Sequence, residues 1–337
     1  MIDLLGLILV SFFITSFLLV PFIDLLFYLR RRYKRLNKGD GTDQATPIHN
    51  QLLKGKDIDT PIGGGLLLIP LVIILSIGFL YFTRYQLTLE MYALYATLLL
   101  FGFIGSLDDF RKLFVSFSGK YSGIRTRYIL LFQLVFAALI SLFLHYHVGL
   151  NNIFIPVIGN VLLGWWYIPL SVFVIVAFAN AFNISDGLDG LSTGLLMICL
   201  FAFLVLASSV FDNNLASFTG IWIGVLIAYL YFNVYPARVY LGDAGSFAFG
   251  ATLAVIGLLT GKILGLAVIG GVYVIIISSS LLQISSKKLL GKKLFPVAPI
   301  HMLLKYIGWE EPKIVIRLWL AGIIFAIFGL WLALLSR

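Results

Sequence analysis

Cysteine and charge are what this 337-residue sequence has least of. A single cysteine, Cys199, excludes an intrachain disulfide framework and any metal site built from paired thiolates. Its place in the apolar run 195–206 marks it as a small buried side chain. Only 12% of residues are charged, whereas soluble domains carry about a quarter. A soluble domain, a secreted disulfide-built protein and a fibrous one are therefore excluded. No basic segment precedes the first apolar run, 4–29, which follows Asp3 and is too long for a signal-peptide core. We expect it to stay as a helix.

What the sequence does have is apolar length. Apolar residues make up 61% and the mean hydropathy is +1.03. A bilayer-crossing helix needs roughly 20 such residues. Apolar windows between polar breaks predict ten, near 4–29, 62–82, 89–107, 128–146, 166–184, 188–210, 215–233, 245–261, 263–285 and 314–335. The expected fold class is an all-α integral membrane protein, one polytopic unit over 1–337 with no large soluble domain. A small outside hairpin near 147–167, capped by Trp165, Trp166 and Tyr167 at the interface, reads as structural.

Orientation follows from where the cations fall. One set of loops carries 21 of the 24 Lys and Arg, and the other only Arg84, Lys262 and Arg337. The positive-inside rule then puts both termini outside and loops 30–61, 108–127, 234–244 and 286–313 in the cytoplasm. The net charge of +9 is a consequence of that topology. With no basic domain carrying aromatic or helical readers, we expect no nucleic-acid partner. An internal repeat, the mark of many secondary transporters, is also missing.

The acids are few enough to take singly. Asp108 and Asp109 follow the third span, Asp186 and Asp189 lie in a glycine-rich segment after the fifth, and Asp243 precedes the eighth. All five fall at the expected cytoplasmic ends. Any one could merely cap a helix, but a one-sided cluster of carboxylates beside hydrocarbon reads as a site. Asp186 and Asp189 are three apart, so a helical turn would set both on one face. Carboxylates facing loops of Lys and Arg point to a hard cation with phosphate, since Mg²⁺ is held by one or two carboxylates plus substrate phosphates. Asp24 reads as paired with nearby cations. Asp40, Asp43, Asp57, Asp59, Asp212, Glu90, Glu310 and Glu311 read as mostly solvated.

Longer motifs carry a resemblance. They are Asn180-Ala-Phe-Asn-Ile-Ser-Asp-Gly-Leu-Asp-Gly-Leu191, Phe232-Asn-Val-Tyr-Pro-Ala-Arg-Val-Tyr-Leu-Gly-Asp-Ala-Gly-Ser246 and Ala298-Pro-Ile-His301 with Gly308-Trp309. With Thr60-Pro-Ile-Gly-Gly64 and the Asp108-Asp109 pair, they resemble the phospho-N-acetylmuramoyl-pentapeptide transferases, a branch of the polyprenyl-phosphate N-acetylhexosamine-1-phosphate transferase superfamily. The likeness runs through almost the whole chain. It implies a ten-helix enzyme of the bacterial inner membrane that moves phospho-N-acetylmuramoyl-pentapeptide from UDP to undecaprenyl phosphate, giving lipid I and UMP, with Mg²⁺ required. The implied partners are undecaprenyl phosphate, UDP-N-acetylmuramoyl-pentapeptide, membrane lipids and a second copy in a homodimer.

Under that resemblance Asp243 is the expected Mg²⁺ ligand, with Asp186 and Asp189 as nearby ligands or organisers of nucleotide and metal. Asp108 and Asp109 would take the proton from the lipid phosphate or orient it. Such a monoester, with a second pKa near 6, is already largely a dianion at neutral pH. Whether an aspartate becomes phosphorylated on the way stays open. Asn183 would bond substrate or the metal shell, Lys54 or Lys56 and Arg127 would bind phosphate, and Thr60, Asn180 and Gly242 complete the expected substrate contacts. His301 is expected at the phosphates or sugar.

Three departures stand against the family pattern. The family carries three consecutive histidines where this chain has His301, Met302 and Leu303; Arg127 replaces a lysine, a planar fork in place of a point charge; and the spacing before Thr60 is longer. These bear on the sugar nucleotide more than on the reaction, so a transferase using UDP-N-acetylglucosamine or a related sugar is the alternative. A transporter or flippase and an inactive homologue are the readings of another class.

Overall fold

The computed structural model describes residues 2–36, 60–115, 124–156, 158–209 and 212–335. Lys54, Lys56 and the four aspartates between 40 and 59 lie outside them. The long helices, in chain order, are α1 (Ile2–Leu36), α2 (Gly64–Thr83), α3 (Leu89–Val115), α4 (Thr126–Tyr146), α5 (Tyr167–Ser185), α6 (Leu191–Ser209), α7 (Asn213–Asn233) and α8 (Gly242–Leu259). A short α9 (Ile263–Ile269), α10 (Gly271–Leu290), a short α11 (Ile300–Tyr306) and α12 (Glu311–Leu334) complete the chain. Among the described residues nine helices are long and apolar enough to cross a membrane, or ten if the bent pair α9–α10 is one span. The chain is thus an all-α, multi-pass membrane protein.

Burial ranks the helices. In α8 and α7 about four-fifths of the apolar span is inside the bundle, against 17% in α1. The cause is in the side chains. The α8 sequence GDAGSFAFGATLAVIGLL is dense in Gly, Ala and Ser, the small residues that let helices approach closely where lipid removes the hydrophobic drive between them. A Cβ on Gly65 would lie 2.3 Å from the Gly245 nitrogen, so α2 and α8 touch backbone to backbone. Helices α3 and α5 pack along the remaining faces of α8, while α1 and α6 pack on α7. Outward, Phe17 of α1 and Ile324 of α12 are 80% and 69% exposed. Such faces meet acyl chains, which are as apolar as they are.

Several boundaries differ from the apolar windows, each for a physical reason. The third helix runs on to Val115, so Asp108 and Asp109 lie inside it, where their carboxylates find donors from other segments. The eighth begins at Gly242, which puts Asp243 in its first turn. The ninth is broken, with an 80° bend between α9 and α10. There Gly270 and Gly271 leave room for the rings of Phe178 and Phe325, which a Cβ would meet at 2.7 and 2.8 Å. The expected hairpin is a two-stranded antiparallel pair, β1 (Asn152–Ile155) and β2 (Gly159–Leu162), in register Asn152 with Leu162 and Ile155 with Gly159. Trp165 and Trp166 are exposed beside it as expected. Tyr167, expected there with them, is instead 1% exposed, because α5 turns it into the bundle.

Candidate functional site

The aspartates converge through the segment 234–241, which crosses from α7 to α8. Its backbone groups are satisfied from three directions. The Asn233 amide donates to the Val239 carbonyl at 3.0 Å, and Tyr240 N–H donates to the Pro61 carbonyl while its own carbonyl accepts from Gly63 and Gly64. The Thr60 hydroxyl donates to the Ala237 carbonyl at 3.1 Å, and Ala237 N–H donates to the Asp189 carboxylate at 3.0 Å. Thr60 and Asp189, both buried, therefore hold the segment that delivers Gly242 and Asp243.

Asp109 caps α8 from a different helix. Its carboxylate accepts from the N–H groups of Asp243 and Ala244 at 3.1 and 3.0 Å. These donors have no partner within the helix, and the positive end of the helix dipole favours the carboxylate there. The approach needs two glycines. Gly242 has φ +81°, and a Cβ on it would stand 2.6 Å from an Asp109 oxygen. On α3 itself, a Cβ at Gly105 would fall 2.1 Å from the Asp243 carbonyl. Asp108, next to Asp109, is buried and accepts from Ile124 N–H at 2.6 Å, which ties α3 to the start of α4.

Two carboxylates are only half buried. Asp243 accepts from the Asn183 amide at 2.8 Å. Asp186, at the end of α5, accepts from the hydroxyls of Ser192 and Ser246, the latter at 2.9 Å. Ser246 stands one turn after Asp243 on α8. Helices α5, α6 and α8 thus bring Asn183, Asp186, Ser192, Asp243 and Ser246 together at one end of the bundle. The asparagine amide adds a donor there but no charge of its own.

His301 reaches the same end from α11. It is 1% exposed, and a Cβ on Gly187 would lie 3.2 Å from its Nε2, so the imidazole stands against the turn that follows Asp186. Polar side chains of α10 dock the approach to α11. The Gln283 side-chain carbonyl accepts from Leu294 and Phe295 N–H at 3.1 and 2.9 Å, and the Ser279 hydroxyl accepts from Ile300 N–H at 3.1 Å.

Of the remaining expected contacts, Asn180 donates to Gln133 of α4 and to the Val176 carbonyl, each at 2.8 Å. Arg127 is exposed and stacks over the Tyr128 ring with its guanidinium carbon 4.9 Å from the centroid. Among the described residues no hydrogen bond or ion pair joins Asn180 or Arg127 to the aspartates. Asp24 lines an open cleft with Phe27, Tyr28, Arg31 and Arg238, so the cations expected near it are there.

Glu311 overturns its sequence reading as a solvated acid. It is 5% exposed, accepts from Asp189 N–H at 2.8 Å and pairs with the Lys305 ammonium at 2.6 Å. Ser192, Ser246, Ser279 and Gln283 were also missed. The available signal was a polar side chain inside an apolar helix, which usually faces the bundle and finds a partner there.

Among the described residues no group of three or more His, Cys, Asp and Glu is placed to hold a metal. A cage made by these residues alone is therefore lacking. Two half-buried carboxylates with hard oxygen donors do fit Mg²⁺, which takes one or two carboxylates and completes its shell with water and substrate phosphate.

Comparison with known proteins gives the same family as the motifs. The model of glycosyl transferase family 4 matches residues 91–261, a stretch that holds all five aspartates. A phospho-N-acetylmuramoyl-pentapeptide-transferase of Oceanobacillus iheyensis is 34% identical over 338 residues, covering 98% of each chain. The Bacillus subtilis enzyme of that name is 32% identical, covering 94% of this chain and 92% of its own. That of Desulfotalea psychrophila is 35% identical, with 94% and 90% covered. On the family match and these near full-length identities, the chain belongs to glycosyl transferase family 4, among the phospho-N-acetylmuramoyl-pentapeptide-transferases.

Proposed function

We propose that this protein transfers phospho-N-acetylmuramoyl-pentapeptide from UDP to undecaprenyl phosphate, forming lipid I and UMP at the cytoplasmic face of a bacterial inner membrane. The observation that carries the proposal is the meeting of Asn183, Asp186, Asp243 and Ser246 at one end of the bundle, with His301 against the same turn. The orientation rests on the cation count, which assigns the aspartate end to the cytoplasm.

In the reaction a lipid phosphate oxygen attacks the β-phosphorus of the sugar nucleotide. The bond from that phosphorus to the bridging oxygen breaks, and UMP leaves with the electron pair. Both reactants are anions. Asp243 and Asp186 would hold Mg²⁺, and the metal supplies charge screening for the phosphates. Asn183 keeps the Asp243 carboxylate aimed, and Ser192 and Ser246 do the same for Asp186. Asp109 fixes the first turn of α8, and Asp189 fixes the segment before it. Asp108 holds the start of α4 through Ile124 N–H, and the lipid phosphate needs no base from it, because its second proton is already largely absent at neutral pH. His301 contacts the substrate phosphates or sugar. Lys54 or Lys56 and Arg127 supply positive charge to the phosphates.

The test is UMP release by purified protein with undecaprenyl phosphate and Mg²⁺, run in parallel with UDP-N-acetylmuramoyl-pentapeptide and UDP-N-acetylglucosamine. Release with the pentapeptide nucleotide alone is expected. Release only with UDP-N-acetylglucosamine would keep the chemistry and assign the other sugar, while release with neither from folded protein would overturn the proposal.

A further inference from the structure

The geometry points to Glu311 as a positioning residue that sets His301 against the aspartate turn through a three-part latch. The inference rests on the proposed transferase function. One carboxylate is shared between two segments. One oxygen accepts from Asp189 N–H at 2.8 Å, and the other pairs with Lys305 at 2.6 Å. Glu311 is buried, and the Lys305 side chain is mostly so. A carboxylate this deeply buried depends on its donors, and Asp189 N–H and Lys305 are two of them.

What the latch joins gives it a function. Lys305 follows His301 by four residues on α11, so the two side chains leave the same face of that helix one turn apart. Asp189 lies three residues after Asp186, and its own carboxylate holds Ala237. Glu311 therefore ties the helix carrying His301 to the turn carrying Asp186, and His301 Nε2 comes within 3.2 Å of where a Gly187 Cβ would be. Helix α11 has only seven residues and follows a loop. Such a short helix cannot hold an imidazole in place by its own hydrogen bonds.

A double-mutant cycle tests this, read as kcat and KM for UMP release. In the wild-type background Glu311→Gln keeps an oxygen for Asp189 N–H but removes the charge facing Lys305. We expect kcat to fall on the order of 30-fold, with KM for the sugar nucleotide changed less than about threefold, the scale set by small misplacements of a reacting group. In a His301→Ala background the same change should lower kcat less than about threefold, because it acts through His301. Lys305→Met should behave as Glu311→Gln does, and Lys305→Arg should recover activity by keeping the pair. Additive losses in the cycle, or kcat within about twofold of wild type for both Glu311→Gln and Lys305→Met, would overturn the latch. If Glu311→Gln does not fold, the Lys305→Met and His301→Ala cycle decides in the same way. Inactive wild-type protein would count against the transferase reading instead.

Discussion

The two ends of the bundle are built differently. At the aspartate end, backbone N–H groups of α8, of the 234–241 segment and of the turn before α6 are satisfied by carboxylates from distant parts of the chain: Asp109, Asp189 and Glu311. At the opposite end, the hairpin satisfies most of its backbone strand to strand, and Phe154 N–H donates to the Gly261 carbonyl at 3.2 Å, a backbone contact with no carboxylate in it. Rings do the packing there, with Tyr146 and Trp165 edge to face at 5.8 Å and the Lys262 ammonium 4.1 Å from the Phe154 ring. Partial burial also lowers the Lys262 pKa from the ordinary lysine value. Long-range carboxylate caps fix the relative positions of several helices to within a hydrogen-bond length, and catalysis needs such precision. The hairpin needs only backbone partners, from its own strands and from Gly261.

Substitutions can break this contrast. The largest effect is expected for Asp243→Ala, which should lower UMP release by about 10³-fold or more while thermal unfolding in detergent changes little. Appreciable turnover would remove Asp243 from the proposed Mg²⁺ site. Next comes Asp109→Ala, which leaves two α8 N–H groups without their acceptor. We expect it to destabilise by about 2–4 kcal/mol and to lower activity as well, since Asp243 moves with the helix start; equal melting temperatures for variant and wild type would refute the cap. Gly105→Ala forces a methyl onto the Asp243 carbonyl and should destabilise by about 1–3 kcal/mol, read from the same melting curves. The smallest effect belongs to the other end. Lys262→Met removes one cation–π contact and should change stability by no more than about 1 kcal/mol, with kcat for transfer unaltered. A large drop in kcat there would show that the two ends are coupled.

The spans were legible because about 20 apolar residues in a row have one good solution in a bilayer. Asp186 and Asp243 were legible as candidate site residues because carboxylates beside hydrocarbon need a reason to be there. Glu311 was not. It stands at the edge of a polar loop with Glu310 and Lys313 near it, and its partner Asp189 is 122 residues away in sequence. The same holds for Asn180, whose place in a long motif does not reveal that Gln133 of another helix takes its amide. The α9–α10 break was hidden for a different reason. The run 263–285 holds no charged residue and no proline, and the rings of Phe178 and Phe325 packing onto Gly270 and Gly271 account for the bend.

By itself, then, the sequence determined the membrane solvent, the helical class, the set of loops that holds most of the positive charge and the family of the long motifs. Each of these depends on composition or on residues close together in the chain. Tertiary structure alone decided which carboxylates stay half open and which are consumed as caps. Asp108, Asp109 and Asp189 are buried on backbone donors, while Asp186 and Asp243 keep an open side. The physical reason is that a buried N–H must find an acceptor, and only the packed arrangement of α3, α5, α8 and α12 determines which acid is near enough to serve.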